Sequence, residues 1–135
     1  MVKIAIAVSS FNPEITEGLL SSAKDYLTQM KVEYQVYQVP GAFELPLLAY
    51  ALTSHFDGVI ALGCVIKGET RHFEIISDTC AQGLMKVGLK TGKPISFGVL
   101  TTYTEEQARA RLDKGKEAAE GCLLSILTLQ KLHSY

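Results

Sequence analysis

The sequence predicts an α/β domain over residues 1–135, built on a mostly parallel sheet with helices on both faces. Strand-like and helix-like segments alternate along the chain and are separated by short loops, which implies right-handed crossovers between parallel strands. One strand-like segment is apolar almost throughout, the pattern of a strand covered by helices on both faces. A length of 135 residues leaves room for one domain only.

The first half of the chain predicts two strands and two helices. Lys3–Val8 is rich in Ile and Val and predicts a buried, central strand, and Pro13–Met30 repeats apolar residues at helical spacing, with the Asn12 side chain as its N-cap. Val32–Val39 alternates apolar and polar side chains, which indicates an edge strand. A second, shorter helix is marked by Leu45, Leu48, Leu52 and Phe56.

The second half predicts two more strands and two more helices. Gly58–Gly63 predicts another central strand, and His72–Lys90 carries an apolar stripe at helical spacing. Ile95–Thr101 predicts the fourth strand. Thr104–Gln107 matches a capping box, so we expect the last helix to begin there and to run almost to the end of the chain, with Gly115 as the expected site of a kink.

Composition excludes several functional classes. Hydrophobic residues make up 47% of the chain and charged residues 20%, so the chain can bury enough apolar surface to fold and is not intrinsically disordered. The formal net charge is -1 and basic residues are interspersed with acidic ones, which predicts no binding to nucleic acid or to an acidic membrane surface. Any anion site must therefore be local.

The cysteines and the apolar runs predict a cytoplasmic protein. Cys64, Cys80 and Cys122 have no paired spacing, so we expect reduced, buried thiols and neither a disulfide nor a zinc site. The longest uncharged apolar run, Gly58–Ile66, is far shorter than the roughly 18 residues that a membrane-spanning helix needs. Met1–Ser10 holds too short an apolar stretch for a secretory signal.

Four segments at the predicted strand ends are candidate ligand-binding segments, because ligands of open parallel sheets bind outside the carboxyl ends of the strands. We expect all four to open on one rim of the sheet. They are Ser9–Asn12, Val39–Glu44, Gly63–His72 and Phe97–Thr102.

Two phenylalanines and a glutamate in these segments suit a flat, polar ligand. Phe11 and Phe43 can stack on a heterocycle, or each can plug a helix against the sheet. Glu44 can accept hydrogen bonds from ligand hydroxyls, or its charge can favour the start of the second helix. The residues alone leave both pairs of alternatives open.

The segment Gly68–His72 suits an anion. A glycine and a hydroxyl residue just before a helix aim backbone N–H groups and the positive end of the helix dipole at a group such as phosphate. Alternatively, Thr70 is only the helix N-cap and Arg71 a solvated cation. His72, in the first turn, can exchange a proton near neutral pH. Neither a Walker lysine motif nor G-x-G-x-x-G is present, which disfavours nucleotide enzymes of those classes.

Together the four segments resemble the 6,7-dimethyl-8-ribityllumazine synthase family, which catalyses the penultimate step of riboflavin biosynthesis. The resemblance spans the whole chain and rests on short motifs that follow one another in the right order and at the right distances. They are Phe11-Asn12 with Ile15-Thr16, Val39–Pro46, Leu62–Gly68 with Thr70 and His72-Phe73, and Phe97–Thr102.

The resemblance implies a flavodoxin-like three-layer sandwich with a four-stranded parallel sheet in the order 2-1-3-4. It implies condensation of 5-amino-6-(D-ribitylamino)uracil with 3,4-dihydroxy-2-butanone 4-phosphate, through an imine, loss of phosphate and ring closure, without cofactor or metal. It also implies a homopentamer, which in some members closes into a sixty-subunit shell, and leaves open an association with riboflavin synthase.

The resemblance further implies a role for each matching residue. His72 is the expected proton-transfer residue. The residues expected around the pyrimidine and its ribityl chain are Phe11, Ala42, Phe43, Glu44, Val65 and Ile66. The phosphate is expected on Gly68, Glu69 and Thr70. A neighbouring subunit is expected to supply Phe97 over the ring, Arg111 to the phosphate and Lys114 to the pyrimidine carbonyls.

Two departures from the family pattern affect these expectations. Arg111–Gly115 is several residues shorter than the corresponding stretch of many members, so Lys116 competes with Lys114 for the pyrimidine role, and the choice between pentamer and shell stays open. Glu69 stands where a small residue is common, and its carboxylate beside a phosphate is unfavourable unless it points away.

Two non-catalytic alternatives remain at this stage. A flavodoxin-like module that stores or carries a flavin or lumazine would use the same Phe11 and Glu44. A structural shell protein would not require Phe11, Glu44, Thr70 and His72 to converge, which disfavours it.

Overall fold

The core of the fold is one all-parallel sheet of four strands. A computed structural model of the chain describes residues 1–134, and its strands are β1 (Lys3–Ser9), β2 (Glu33–Val39), β3 (Gly58–Ile66) and β4 (Ile95–Thr102). They lie in the order β2-β1-β3-β4, and every neighbouring pair runs parallel. The predicted α/β class, the strand order and the edge position of β2 are confirmed.

Helices cover both faces of the sheet. In chain order they are α1 (Pro13–Gln29), α2 (Leu45–Leu52), α3 (His72–Thr91), α4 (Glu105–Arg109) and α5 (Lys114–His133), and a short 3-10 helix at Ala42–Glu44 precedes α2. Helices α1 and α5 pack on one face and α2 and α3 on the other, which gives the three layers of a flavodoxin-like fold. In the described part of the chain, no helix combines the length and the apolar character that crossing a membrane requires.

Strand β1 is buried on both faces and divides its side chains between two cores. Ile4, Ile6 and Val8 pack with α1 and α5, and Ala5 and Ala7 pack with α2 and α3. Successive side chains of a strand point to opposite faces, so a strand with apolar residues at every position fits only between two layers of helices. The central position predicted for this segment is confirmed.

The carboxyl ends of the strands are staggered. Pairing between β1 and β3 ends at Val8 and Leu62, whereas β3 continues beside β4 as far as Ile66 and Thr102. Strand β3 therefore extends beyond its predicted end at Gly63 and past the end of β1. The loops that follow β1 and β2 meet the end of β3 at this step in the sheet, where the candidate site lies.

Two predicted helix ends need correction. The segment after β4 forms two helices, so the prediction of one long helix kinked at Gly115 is wrong. The capping box does start α4 as predicted, since Thr104 Oγ1 accepts a hydrogen bond from the Gln107 N–H at 3.1 Å. Helix α2 ends at Leu52, so Phe56, predicted within it, lies in the turn before β3, where its side chain is still buried.

Contacts with α1 explain why the last segment is divided. The Ser22 hydroxyl donates to the Leu112 carbonyl at 2.9 Å and accepts from the Lys116 N–H at 3.0 Å, which stabilises the turn between α4 and α5. Gly115 lies against α1 so closely that a Cβ atom would be 2.0 Å from the Leu19 carbonyl oxygen. This glycine therefore serves a close contact between two helices and not a kink.

All three cysteines are free and buried, as predicted. Burial raises the pKa of Cys64 and Cys80 to about 11 and that of Cys122 to about 12. For Cys64 the carboxylate of Glu105 is a second, smaller cause of the raised pKa. The three thiols are therefore protonated in the folded protein at neutral pH.

Candidate functional site

A cleft of about 330 Å³, which we call the strand-end cleft, opens at the carboxyl ends of β1 and β3. It is lined by seven of the predicted site residues, namely Phe11, Ala42, Phe43, Glu44, Val65, Ile66 and His72. They come from the β1–α1 loop, the segment between β2 and α2, the end of β3 and the first turn of α3. Parallel pairing of the strands brings these distant segments to one end of the sheet, as expected for the class.

Aromatic and apolar side chains form walls of the strand-end cleft. Phe11 is 69% exposed and Phe43 is 63% exposed, so neither plugs a helix against the sheet, and that alternative is wrong for both. Val65 is buried and Ile66 is half-buried at the end of β3. Exposed aromatic rings beside an apolar strand end form a slot suited to a flat heterocycle.

Glu44 supplies the strand-end cleft with a carboxylate. Its Oε1 accepts a hydrogen bond from the Gly41 backbone N–H at 2.9 Å, which restricts the orientation of the side chain. Glu44 also directly precedes α2, whose positive end its charge favours, so the structure is compatible with both interpretations of this residue. Because each carboxylate oxygen offers two acceptor positions, Glu44 can also bind ligand hydroxyls.

The loop between β3 and α3 borders the strand-end cleft. Gly68, Glu69 and Thr70 are all exposed, and they lie in the chain between the lining residues Ile66 and His72 without lining the cleft themselves. Arg71 and not Thr70 is the N-cap residue of α3, so the alternative in which Thr70 serves only as the N-cap is wrong. The Thr70 hydroxyl instead accepts from the His72 N–H at 3.3 Å. The loop therefore leads directly to the positive end of a long helix.

His72 connects this loop with the strand-end cleft. It is the first residue of α3, and it lines the cleft together with Phe11 and Glu44. The side chain is exposed, so a bound molecule can reach its ring nitrogens. An imidazole in this position can take a proton from one group of a ligand and return it to another. Across residues 1–134, no group of three or more His, Cys, Asp or Glu side chains could hold a metal ion.

Phe97, Arg111 and Lys114 line a separate groove of about 490 Å³, which we call the β4 groove. Strand β4 begins at Ile95, so Phe97 lies within the strand, paired with Ala61, and not on the rim of the sheet. The expectation that the fourth segment shares one rim with the other three is therefore wrong for Phe97. Within one chain, the predicted site residues fall into three groups: those of the strand-end cleft, those of the β4 groove, and Gly68–Thr70 in the exposed loop before α3, which line neither surface.

Charged side chains from the turn between α4 and α5 line one wall of the β4 groove. Arg111 Nη1 donates to the Gln107 carbonyl at 2.8 Å, which holds the guanidinium at the C-terminal end of α4. Lys114 lines the groove, whereas the Lys116 backbone N–H donates to Ser22 and Lys116 is not among the lining residues. Of the two lysines that compete for one role, Lys114 thus has the position beside Arg111.

Sequence reasoning assigned no ligand-binding role to four lining residues, namely Asn12, Gly41, Cys64 and Ile76. Asn12 is the N-cap residue of α1, but its side chain caps no helix N–H, so the prediction of a side-chain cap is wrong. Its Nδ2 donates to the Cys64 carbonyl at 3.0 Å instead. Ile76 lies one helical turn after His72 on the predicted apolar stripe, and that spacing is the signal that could have placed it beside the cleft.

Comparison with known proteins relates nearly the whole chain to one family. A family model described as 6,7-dimethyl-8-ribityllumazine synthase matches residues 1–130. The 6,7-dimethyl-8-ribityllumazine synthase 1 of Caulobacter vibrioides is 51% identical and covers 96% of this chain and 92% of its own length. The synthase of Methylobacillus flagellatus is 45% identical, covering 97% and 92%, and that of Micrococcus luteus is 37% identical, covering 96% and 87%.

Proposed function

The chain belongs to the 6,7-dimethyl-8-ribityllumazine synthase family, and we propose that its strand-end cleft binds the ribitylated pyrimidine of the reaction. The enzyme is a transferase of riboflavin biosynthesis. It condenses 5-amino-6-(D-ribitylamino)uracil with 3,4-dihydroxy-2-butanone 4-phosphate to 6,7-dimethyl-8-ribityllumazine, with release of phosphate and water. The resemblance seen in the sequence motifs is confirmed for the family and for the reaction.

The observation that carries the pyrimidine site is the convergence of Phe11, Glu44 and His72 on one cleft. Phe11 stacks on the pyrimidine ring, and Val65 and Ile66 line the apolar wall at the end of β3. Glu44 accepts hydrogen bonds from the ribityl hydroxyls. The contacts with the edge of the ring come from Ala42 and Phe43.

The phosphate of the second substrate binds at the loop before α3. Backbone N–H groups of Gly68 and Glu69, the Thr70 hydroxyl and the positive end of α3 favour a dianion there. The Glu69 side chain is exposed, so its carboxylate can point into solvent and away from the phosphate. His72, between the loop and the cleft, moves the protons that imine formation, phosphate loss and ring closure require.

Positioning of the two substrates supplies most of the expected rate acceleration of the condensation. The reaction joins two separate molecules, and holding both in register converts a bimolecular encounter into an intramolecular step. An aromatic slot next to an anion-binding loop does this without a strong nucleophile. Proton transfer by His72 and the departure of a phosphate that is already bound contribute smaller factors.

A second copy of the chain completes the site. Phe97, Arg111 and Lys114 face a different concave surface from the strand-end cleft, so a cleft gains these groups only when a neighbour's β4 groove lies against it. In that arrangement Phe97 covers the ring, Arg111 binds the phosphate, and Lys114 contacts the pyrimidine carbonyls. Arg111 must then exchange its hydrogen bond to the Gln107 carbonyl for the phosphate.

Each subunit is one lumazine-synthase-like domain over residues 1–135, and five subunits form a ring. A further step to a sixty-subunit shell, and an association with riboflavin synthase, are properties to be examined on the assembled protein. The cytoplasm is the proposed location, supported by three free, buried thiols, which a reducing compartment preserves.

The direct test is to mix the two substrates with purified protein and follow the fluorescence of the lumazine product. We expect product to form at a rate that scales with protein concentration and exceeds the rate without protein. No product at any protein concentration would reject the assignment. Tight riboflavin binding without condensation would instead support a carrier of flavin or lumazine.

A further inference from the structure

The side chain of Asn12 joins two segments of the strand-end cleft that are far apart in sequence. Asn12 Nδ2 donates a hydrogen bond to the Cys64 carbonyl at 3.0 Å, across 52 residues of chain. Asn12 directly follows Phe11 in the β1–α1 loop, and Cys64 directly precedes Val65 and Ile66 at the end of β3. The bond therefore connects the loop that carries the aromatic wall with the strand that carries the apolar wall.

Helix α1 does not need this side chain. An Asn before a helix ordinarily accepts a hydrogen bond from an N–H group of the first turn. Here the Asn12 backbone carbonyl accepts from the Ile15 and Thr16 N–H groups, each at 3.1 Å, and the side chain makes no cap bond. Pro13, at the first turn, has no N–H group to satisfy. The amide of Asn12 is thus left for a contact outside the helix.

The backbone of Asn12 adopts a conformation that most side chains avoid. Its φ of 60° and ψ of 62° lie in the left-handed region, which Asn adopts more readily than other residues that carry a side chain. Within residues 1–134 one other residue besides glycine has a positive φ, Lys31 at 58°, just beyond the far end of α1. Asn12 therefore meets two demands at once, a left-handed backbone and a donor on the side chain.

The Cys64 carbonyl lies where the sheet no longer supplies a partner on the β1 side. Strand β1 pairs with β3 only as far as Leu62, and beyond that point β3 is paired with β4 alone. A carbonyl at such a step needs another donor, and the Asn12 amide provides it. The β1–α1 loop also has a hydrogen bond to the segment after β2, since the Phe11 N–H donates to the Pro40 carbonyl at 3.0 Å. Phe11 thus lies between one bond to the β2 end and one bond to the β3 end.

We propose that Asn12 is a positioning residue for the pyrimidine half of the site, an inference that rests on the function assigned above. Its amide holds the Phe11 ring at a fixed separation from the end of β3 and so sets the width of the slot that the pyrimidine enters. Without this bond the loop keeps its contact with Pro40 but loses its link to β3, and substrate binding must then order it. The bond does not involve the phosphate loop Gly68–Thr70.

The test compares two substitutions of Asn12 that keep the left-handed backbone accessible. Asn12→Gly removes the amide, and Asn12→Asp replaces the donor with an oxygen that faces the Cys64 carbonyl. For both we expect the KM of the pyrimidine to rise about tenfold while the KM of the butanone phosphate stays within about twofold. The readouts are steady-state lumazine formation, with each substrate varied in turn, and titration with a ribitylated uracil that lacks the 5-amino group.

Lys31→Gly is the matched control, because it changes the other left-handed residue far from the cleft and should alter neither KM. A pyrimidine KM for Asn12→Gly within about twofold of wild type, or an equal rise in both KM values, overturns the positioning role. If wild-type protein forms no lumazine, the assigned function fails. The dissociation constant of the uracil analogue then decides about Asn12 alone, and an unchanged or unmeasurable constant overturns the inference.

Discussion

Among single residues, His72 is the one whose loss we expect to separate rate from binding. It lines the strand-end cleft at the start of α3, beside the loop proposed to bind phosphate, while the apolar and aromatic walls come from other residues. His72→Ala should therefore lower kcat about a hundredfold and leave the dissociation constant of a pyrimidine analogue within about twofold of wild type. Single-turnover and equilibrium titration experiments measure the two quantities separately.

His55→Ala is a suitable control for that experiment. His55 is exposed and lies in the turn before β3, at the opposite end of the strand from the cleft. Its replacement should change neither quantity. An unchanged kcat for His72→Ala would remove His72 from the mechanism.

Cys80 should make stability depend on alkaline pH. Burial raises the pKa of this thiol from 9.0 to about 11, so the folded protein keeps the proton that the unfolded chain releases above pH 9. The contribution of this thiol to the free energy of unfolding is complete below pH 9 and is lost as pH rises through the folded pKa. By pH 10.5 the loss amounts to about 2 kcal/mol. Urea unfolding under reducing conditions should show a shallower decline from pH 8 to 10.5 for Cys80→Ala than for wild type. Parallel declines would contradict the raised pKa.

At the residue scale, the location of a side chain was predictable where it follows from the end of a strand. Phe11, Glu44 and His72 converge because parallel strands bring their carboxyl ends together, a rule that needs no knowledge of side-chain partners. The contact of Asn12 was not predictable from its neighbours in the sequence, because an Asn before a Pro indicates a side-chain helix cap. Its actual partner, Cys64, becomes a neighbour only after β1 and β3 have paired.

At the scale of elements, Gly115 determines how closely α5 can approach α1. A Cβ atom there would lie 2.0 Å from the Leu19 carbonyl oxygen, which belongs to the helix backbone and cannot move aside cheaply. Gly115→Ala should lower the free energy of unfolding by about 2–3 kcal/mol, as expected for overpacking. Denaturant unfolding followed by circular dichroism measures the change.

Gly121→Ala, in the same helix, should act with the opposite sign. Its Cβ would meet its nearest neighbour, Ser96 Oγ, at an ordinary contact distance of 3.8 Å. Alanine is the better helix former, so the free energy of unfolding should rise by about 0.5–1 kcal/mol. Equal effects of the two substitutions would show that packing against α1 does not decide the response at Gly115.

Helices and strands were predictable where the repeat of apolar residues or the residues that start the element lie within the element itself. The alternation of Val32–Val39 correctly predicted strand β2, and the capping box at Thr104 correctly predicted the start of α4. The break between α4 and α5 was not predictable, because Ser22 of a distant helix stabilises it. Strand β3 runs to Ile66 because β4 continues beside it, which is a property of the neighbour.

At the scale of the whole molecule, a shared site predicts that two inactive variants complement each other. If one chain supplies His72 and its neighbour Arg111, co-assembly of His72→Ala with Arg111→Ala produces some sites that carry neither change. Random mixing in equal amounts should restore about a quarter of wild-type activity, because each of the two partners is intact half of the time. Activity of co-expressed or co-refolded mixtures tests this.

His72→Ala mixed with Phe11→Ala gives the matched control. Both residues line the same cleft of one chain, so every site in that mixture carries a defect and activity should stay low. Recovery in the first mixture and not in the second would support a site between subunits. No recovery in either would place Arg111 in the same site as His72 of its own chain.

The residues assigned to the two concave surfaces come from two separate parts of the sequence. Every residue assigned to the strand-end cleft lies between positions 11 and 76, and Phe97, Arg111 and Lys114 follow the Gly92–Pro94 turn. A recombination point in that turn would let two related genes exchange the two surfaces as separate segments. Hybrid enzymes made this way should inherit their recognition of the ribityl chain, proposed for Glu44, from the parent that donates the amino-terminal segment, whereas recognition of the ring should draw on both parents.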